Sequence, residues 1–313
     1  MTVHVLPASE QTVRVGVIDR SYAPILEIED GDELVLETWG LWGNAVAPGM
    51  TFDDIVELKK VHAGKGPHSL TGPVAVRGAR AGMLLRVDIL DLEPGPYGFN
   101  LITPPPHSRG LLTEEFPHGE IRHFRLDTRR METELVPGIR MPLRPFLGIM
   151  GVAPADDETH ISSIPGEFGG NIDCPALVAG TTLFLPVWAD QALFYAGDAH
   201  AMQGCGEVNQ TALETTMERA HLRLSLARER YLHRPHAITR DYLVTMGFHT
   251  DLRQAAVQAV GDMVTWLSHD RGLTRSDAYV LCSLQADLMI TQAVNGNNGV
   301  HACLSKQLFA FGE

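Results

Sequence analysis

The stretch GDELVL at residues 31–36 joins a glycine turn to an apolar run in which large residues recur at every second position. The same pattern returns as GMLLRV at residues 82–87 and as GTTLFL at residues 180–185. A tight turn followed by a period of two is typical of a half-buried strand. The three copies predict a strand-rich chain, built either as an internally repeated β architecture or as an ordinary β protein with several such turns.

The pattern changes in the last third of the chain. Leu222, Leu224 and Leu226 alternate with polar residues and predict one further strand. Apolar residues then recur at helical spacing over residues 251–267, with Asp251 as a candidate N-cap, and residues 274–284 predict a second helix. The expected fold class is β-rich α+β, with a β-rich core at residues 1–207 that carries the site motifs and an α+β part at residues 208–313. The two parts form either separate domains or one intertwined domain.

The composition limits the kinds of partner. The 313 residues carry 38 acidic side chains against 25 lysines and arginines, a formal net charge of −13. Nucleic acids and anionic membranes attract basic surfaces, so neither is an expected partner. The N-terminal residues lack the features of a signal peptide, the most apolar segment is too interrupted to span a membrane, and the four cysteines have no CxxC spacing. A reduced, cytoplasmic protein is therefore expected.

Two polar clusters flanked by glycines mark a candidate site. The first is FGGNIDC at residues 168–174, and the second is GDAHAMQGCGE at residues 197–207. Asp198 and His200 are two residues apart, which places both side chains on one face of an extended strand. A carboxylate and an imidazole that converge in this way suit a divalent metal ion, and Asp173 can supply a further oxygen ligand.

The remaining polar groups of the two clusters suit hydrolysis by a metal-activated water. Glu207 is the candidate general base, which removes the proton of the attacking water. Asn171 and the backbone N–H groups of Gly169 and Gly170 are candidate donors for an oxyanion, and Gln203 is a candidate substrate-positioning residue.

Each residue also has a simpler reading. Asp198 can be a turn residue, Asp173 can cap the segment that starts at Pro175, and His200 can be a hydrogen-bonded structural histidine. The density of such residues between glycines favours a site for the group as a whole. His68 forms either a third wall of that site, in contact with substrate, or part of a polar turn before a strand. His233 and His236 lie in a polar segment and are interpreted as surface histidines.

The chain resembles the acetamidase/formamidase family at four landmarks in order. These are LTGP at residues 70–73, PFLGIMGVAP at residues 145–154, PGEFGGNID at residues 165–173 and the GDAHAMQGCGE motif at residues 197–207. Members of this family hydrolyse short aliphatic amides to ammonia and a carboxylate. The resemblance implies a β-sandwich, jelly-roll-like core, a divalent metal and a homodimer or higher homo-oligomer. Zinc is the metal expected, with calcium and manganese as alternatives.

Two positions depart from the pattern of this family. Family members usually carry Asp where this chain has Cys205, so a metal or hydrogen-bonding role there is changed or lost. The segment TWGLWGN at residues 38–44 also differs from the usual glycine-rich stretch near the substrate. Formamide and acetamide are therefore a starting expectation, and a bulkier amide is compatible with the sequence.

The sequence thus predicts a metal-dependent hydrolase of a small linear amide. Two alternatives stay open at this stage. One is an amidase without metal that uses Cys205 or Cys174 as its nucleophile, which requires a base and a lowered thiol pKa. The other is a non-catalytic protein that binds a small molecule on the same fold.

Overall fold

The computed structural model describes residues 1–227 and 231–309 of the chain. Strands dominate these residues, as the repeated glycine-turn pattern predicts. The strands are β1 (Val3–Leu6), β2 (Val13–Val15), β3 (Val17–Ile18), β4 (Leu26–Ile28), β5 (Glu33–Thr38), β6 (Ser69–Val76), β7 (Leu84–Ile102), β8 (Glu120–Arg125), β9 (Glu132–Val136), β10 (Ile139–Pro142), β11 (Phe146–Gly151), β12 (His160–Ile161), β13 (Gly169–Asn171), β14 (Thr182–Pro186), β15 (Phe194–Met202), β16 (Leu213–Ala227), β17 (His236–Ile238), β18 (Tyr242–His249), β19 (Ala286–Gln292) and β20 (Asn298–Ser305).

Helices are few and concentrate towards the C-terminal end. They are α1 (Leu41–Asn44), α2 (Phe52–Val61), α3 (Leu252–Arg271) and α4 (Arg275–Gln285), with short 3-10 turns at Thr113–Glu115 and Lys306–Phe309. The two C-terminal helices begin at caps visible in the sequence. Asp251 accepts a hydrogen bond from the Gln254 amide at 2.8 Å, and Thr274 accepts one from the Asp277 amide at 3.1 Å. Such caps satisfy backbone donors that have no partner inside the helix.

Sixteen of the described strands join one sheet, whose order along its main path is β13-β11-β15-β16-β7-β14-β17-β18-β20-β19. All its pairings are antiparallel except β1 with β5 and β4 with β6. The three glycine-turn stretches lead into β5, β7 and β14, so the strand prediction is confirmed at each. The sheet and the C-terminal helices confirm a β-rich α+β protein. The jelly-roll sandwich stays a prediction.

The proposed boundary after residue 207 falls in the connection between β15 and β16. These strands are neighbours in the same sheet, with His200 paired to Glu214. Strand β16 also pairs along most of its length with β7. The division into residues 1–207 and 208–313 therefore stays a prediction, and the hydrogen-bonded sheet runs through it.

Helices α3 and α4 cover β18 and β20 and form a second apolar core with them. Met263, Trp266 and Leu267 of α3 and Cys282 of α4 are buried there. His236 corrects the sequence interpretation, because it is buried and its ring stacks on Phe184 with 5.0 Å between centroids. Burial lowers the pKa of His236 to about 4. In the described parts of the chain, no helix has both the length and the apolar character needed to cross a membrane.

Candidate metal centre

Strand β11 brings the two predicted motifs together. It lies between β13, which belongs to the first motif, and β15, which carries the second. Ile149 of β11 pairs with Asn171 on one side and with Gly197 on the other. Residues 26 positions apart in the chain therefore lie on the two strands that flank β11.

Asp173, Asp198 and His200 form the first part of the site, and all three are buried. His200 lies between the two carboxylates. Its Nε2 is 3.4 Å from Asp198 Oδ1, and its Nδ1 is 3.9 Å from Asp173 Oδ1. The structure thus places the three predicted metal ligands in one buried cluster.

Glu214 is a fourth charged member that the sequence reasoning missed. It pairs directly with His200 across β15 and β16, and its Oε2 lies 3.4 Å from His200 Nε2. Its other oxygen, Oε1, accepts a hydrogen bond from the Ala212 amide at 3.0 Å. Only the register between two strands brings Glu214 here, and a single sequence does not show that register.

Two overlapping groups of side chains can hold a metal ion. One is Asp173, Asp198 and His200, and the other is His200, Glu207 and Glu214. Within each group the ligand atoms lie within 4.8 Å of one another, and His200 belongs to both. Imidazole and carboxylate together form the type of ligand set used by zinc and by other divalent transition metals.

The same cluster holds most of the unpaired buried polar atoms. Nine buried side-chain atoms of the described residues lack a hydrogen-bond partner, and six of them are here. The six are Asn171 Oδ1, Asp173 Oδ1, Asp198 Oδ1, His200 Nδ1, Gln203 Oε1 and Glu207 Oε2. Buried polar atoms are nearly always paired, because an unpaired one loses its water without compensation. Five of the six are oxygens, so the cluster fits a bound cation together with a ligand that donates hydrogen bonds.

The pKa shifts in the cluster also favour a bound cation. Burial and the charge of Asp198 raise the pKa of Asp173 well above its usual range, and burial and the charge of Asp173 do the same for Glu207. Burial lowers the pKa of His200, but the charges of Glu214 and Asp198 outweigh it and raise that pKa well above normal. A divalent cation would offset this repulsion between buried carboxylates.

The backbone is strained where the acidic residues stand. Asp173, Asp198 and Glu207 have φ angles of 48°, 55° and 47°, in the left-handed region that residues other than glycine rarely adopt. Asp198 therefore departs from the regular strand conformation expected from the sequence, yet it still approaches His200. Strained residues of this kind are retained where function requires a particular side-chain direction.

Gly148 on β11 provides the space for the cluster. A Cβ atom at this position would lie 2.5 Å from Asp173 Oδ1. It would also lie 2.7 Å from Asp198 Oδ2 and 2.7 Å from His200 Cε1. No side chain larger than hydrogen fits there without displacing the three candidate ligands.

We expect Gly148→Ala to disturb metal binding and stability together. Overpacking costs about 1–3 kcal/mol of unfolding free energy, and displaced ligands should weaken metal affinity at least about tenfold. Thermal unfolding and metal titration measure the two effects. Gly261→Ala on α3 is the matched control, because a Cβ there meets no atom within 4 Å, and it should be neutral or stabilising. Wild-type metal affinity in Gly148→Ala would contradict this role.

Two amide side chains face the cluster with their oxygens free. Asn171 donates from Nδ2 to the Ser163 carbonyl at 3.4 Å, and Gln203 donates from Nε2 to the Asp173 carbonyl at 2.9 Å. The oxygens Asn171 Oδ1 and Gln203 Oε1 are left as acceptors. The Gly169 amide, an expected oxyanion donor, already donates to the Gly166 carbonyl at 3.0 Å. Gly170, whose amide was the second expected donor, is buried on β13, and its carbonyl accepts a hydrogen bond from the Ile172 amide at 2.8 Å.

His68 lies at the wall of the cluster. Its Nδ1 is 2.8 Å from the Ser162 hydroxyl, and its Nε2 is 3.7 Å from Asp198 Oδ2. Burial opposes the ionisation of Asp198, but the charges of His68 and His200 outweigh burial and lower its pKa. This placement favours the interpretation in which His68 forms a wall of the site over the one in which it belongs only to a polar turn.

Residues near the C-terminal end complete the site. Asn295, which sequence reasoning did not select, donates a short hydrogen bond from Nδ2 to Asp173 Oδ2. The loop after β15 is fixed to the end of β19, since the Gly206 amide donates to the Thr291 carbonyl at 3.0 Å. The connection after β19 therefore orients a ligand that lies more than 100 residues earlier in the sequence.

Neither candidate cysteine has the environment of a nucleophile. Cys174 is buried, and burial raises the pKa of its thiol. Cys205 is exposed as a residue, but partial burial of its thiol also raises its pKa. Nucleophilic cysteines require the opposite shift, because the thiolate is the reactive form. The raised thiol pKa values disfavour the cysteine alternative.

Comparison with known proteins supports the resemblance across the chain. A model of the acetamidase/formamidase family matches residues 19–163 and 157–311. The chain is 26% identical to a formamidase of Methylophilus methylotrophus, with 59% of this chain and 56% of that protein covered. It is also 26% identical to an acetamidase of Mycolicibacterium smegmatis, with 45% and 49% covered. The matches thus span about half the length of these two relatives.

The overall structure is similar to that of an acetamidase from Bacillus halodurans. The TM-score is 0.88 at 28% sequence identity, and the similarity covers 98% of this chain and 99% of that one. Together with the family match over nearly all of the chain, this shows that the chain belongs to the acetamidase/formamidase family.

Proposed function

We propose that this protein is a metal-dependent hydrolase of small linear amides that releases ammonia and a carboxylate. The observation that carries the proposal is the cluster of six buried, unpaired polar atoms around His200. Such a cluster is costly for folding alone, and it fits a cation and a polar substrate. Asp173, Asp198 and His200 would hold the metal, and zinc is the ion that we propose.

The bound metal would polarise the amide carbonyl and lower the pKa of the attacking water. Glu207 would accept the proton of that water, since its Oε2 is buried, unpaired and part of the cluster. The same carboxyl group would then return the proton to the leaving nitrogen. His68, held by Ser162, would orient substrate from the wall of the cluster.

The free amide oxygens suggest how the substrate nitrogen is recognised. Asn171 Oδ1 and Gln203 Oε1 can only accept hydrogen bonds, so they suit the N–H groups of a primary amide. This assignment replaces the oxyanion role that the sequence suggested for Asn171. A tertiary amide would leave both oxygens unpaired and should be a poor substrate.

A panel of amides tests the proposed function. We expect ammonia release from formamide or acetamide and, measured as dimethylamine, at least about 100-fold less hydrolysis of N,N-dimethylacetamide. No release from any amide by folded, zinc-loaded protein would contradict the proposal. In that case, a rise in melting temperature with acetamide alone would favour the non-catalytic binding protein.

We also propose that the chain forms a homo-oligomer, as the resemblance implies. Strand β19 ends the main path of the sheet, and its Leu288, Met289 and Ile290 are exposed. A groove of about 760 Å³ beside it lies between α3 and α4, and none of its lining residues belongs to the cluster. Apart from the end that contacts Gly206, this apolar sheet edge suits pairing with a second copy. If light scattering gave the mass of one chain, the homo-oligomer would be excluded.

A further inference from the structure

A second cavity, of about 270 Å³, adjoins the candidate metal centre. Gln203 and Glu207 belong both to the cluster and to the lining of this cavity. A water molecule takes up about 30 Å³ in the liquid, so the cavity has room for about nine groups of that size. Formamide and acetamide would fill only a small part of it.

The walls of the cavity away from the cluster are mostly apolar. They include Phe124 of β8, Leu135 of β9, Met141 of β10, and Met202 and Leu213 from β15 and β16. Methionine side chains adapt to different apolar ligands, because they are flexible and polarisable. The cavity thus changes from polar at Glu207 to apolar at these walls.

The charged residues of the lining indicate a neutral ligand. Among the described residues that line the cavity, only Arg122 and Glu207 carry charge. Arg122 donates to Glu120 at 2.6 Å, so its charge already has a partner. Asn100 and Asn209 are also paired with each other, at 2.7 Å. Away from Glu207, the lining residues therefore offer apolar contacts to a hydrocarbon chain and no unpaired charge to a charged one.

We propose that this cavity binds the acyl chain of the substrate, so that the preferred substrates are primary amides with an unbranched aliphatic chain longer than that of acetamide. The direction of the chain follows from the proposed function, on which this inference rests. The acceptors at Asn171, Gln203 and Glu207 hold the amide nitrogen at the polar end. The carbon chain, on the other side of the carbonyl, then points towards Phe124 and Met202.

Gly204 allows a direct test, because it lines the cavity and a Cβ there meets no atom within 4 Å. Gly204→Phe should fill the cavity without straining the backbone, and Gly204→Ala is the matched control. Leu135→Trp, on a partly exposed strand position, narrows the cavity independently. We would measure kcat/KM for ammonia release from formamide, acetamide, butyramide and hexanamide. N-propylformamide, followed by formate release, places the propyl chain of butyramide on the nitrogen.

The wild-type kcat/KM should rise about fourfold for each methylene group buried, or more than about 100-fold from acetamide to hexanamide. Gly204→Phe and Leu135→Trp should remove most of this gain, measured within each variant as the ratio of kcat/KM for hexanamide to kcat/KM for formamide. Gly204→Ala should keep the gain.

Three other outcomes overturn the inference. A kcat/KM that is flat or falls with chain length, with formamide still hydrolysed, refutes the acyl cavity and leaves the proposed function standing. Preference for N-propylformamide over butyramide refutes the direction of the chain. Absence of hydrolysis with every amide refutes the proposed function, and the inference with it.

Discussion

Glu207→Gln will lower kcat for acetamide by about 10²–10⁴-fold, the usual contribution of a positioned general base. Gln has nearly the same size and keeps one oxygen, but it cannot accept the proton of the attacking water. Glu207 is buried, and its unpaired Oε2 faces the cluster as a candidate proton acceptor. The measurement is steady-state ammonia release together with the metal content of the purified variant.

The control for this prediction is Glu218→Gln, an exposed glutamate on the same β16 that carries Glu214. It removes one negative charge without touching the cluster and should leave kcat within about twofold, as expected for a surface substitution. A kcat for Glu207→Gln within a few-fold of wild type, with metal still bound, would exclude Glu207 as the base. Loss of the metal instead would make Glu207 a ligand, in the group with His200 and Glu214.

His200→Ala will remove the bound metal. His200 belongs to both candidate ligand groups and lies between carboxylates on two sides. Its loss also leaves buried acids without a neighbouring cation, and breaking a buried charge pair typically costs about 3–5 kcal/mol. We expect elemental analysis to find less than about a tenth of the wild-type metal content, because affinity should fall at least by the 10–100-fold seen for supporting residues alone.

Thermal unfolding gives a second readout for His200→Ala that does not depend on activity. Zinc should raise the melting temperature of wild-type protein and should not raise that of the variant, because only a folded state that binds the ion is stabilised. His118→Ala removes an exposed histidine and should behave as wild type in both measurements. A variant that keeps its metal and its response to zinc would place the ion elsewhere.

Local sequence patterns predicted much of the fold. The glycine turns before β5, β7 and β14 are encoded within six residues each, and so is the capping of α3 by Asp251. The Asp198–His200 spacing predicted that these two side chains approach each other, and they do, although Asp198 has a left-handed φ instead of the extended conformation that the prediction assumed. Such features depend on backbone conformation and side-chain periodicity over short distances, which a sequence displays directly.

The remainder of the site depends on long-range pairing. Glu214 reaches His200 through strand register, His68 meets Ser162 across 94 residues, and Asn295 meets Asp173 across 122 residues. No local pattern marks these residues as partners. His236 was misread for a related reason: it follows His233 and Arg234 closely in the sequence, yet the fold stacks its ring on Phe184.

Metal removal and reconstitution test the central claim, that the buried cluster around His200 holds the ion required for amide hydrolysis. The full chain would be treated with a strong chelator, shown by elemental analysis to be metal-free and confirmed as folded, and then titrated with zinc while ammonia release from acetamide is followed. We expect no detectable release from the metal-free protein and full recovery at stoichiometric zinc. Undiminished release from verified metal-free protein would contradict it.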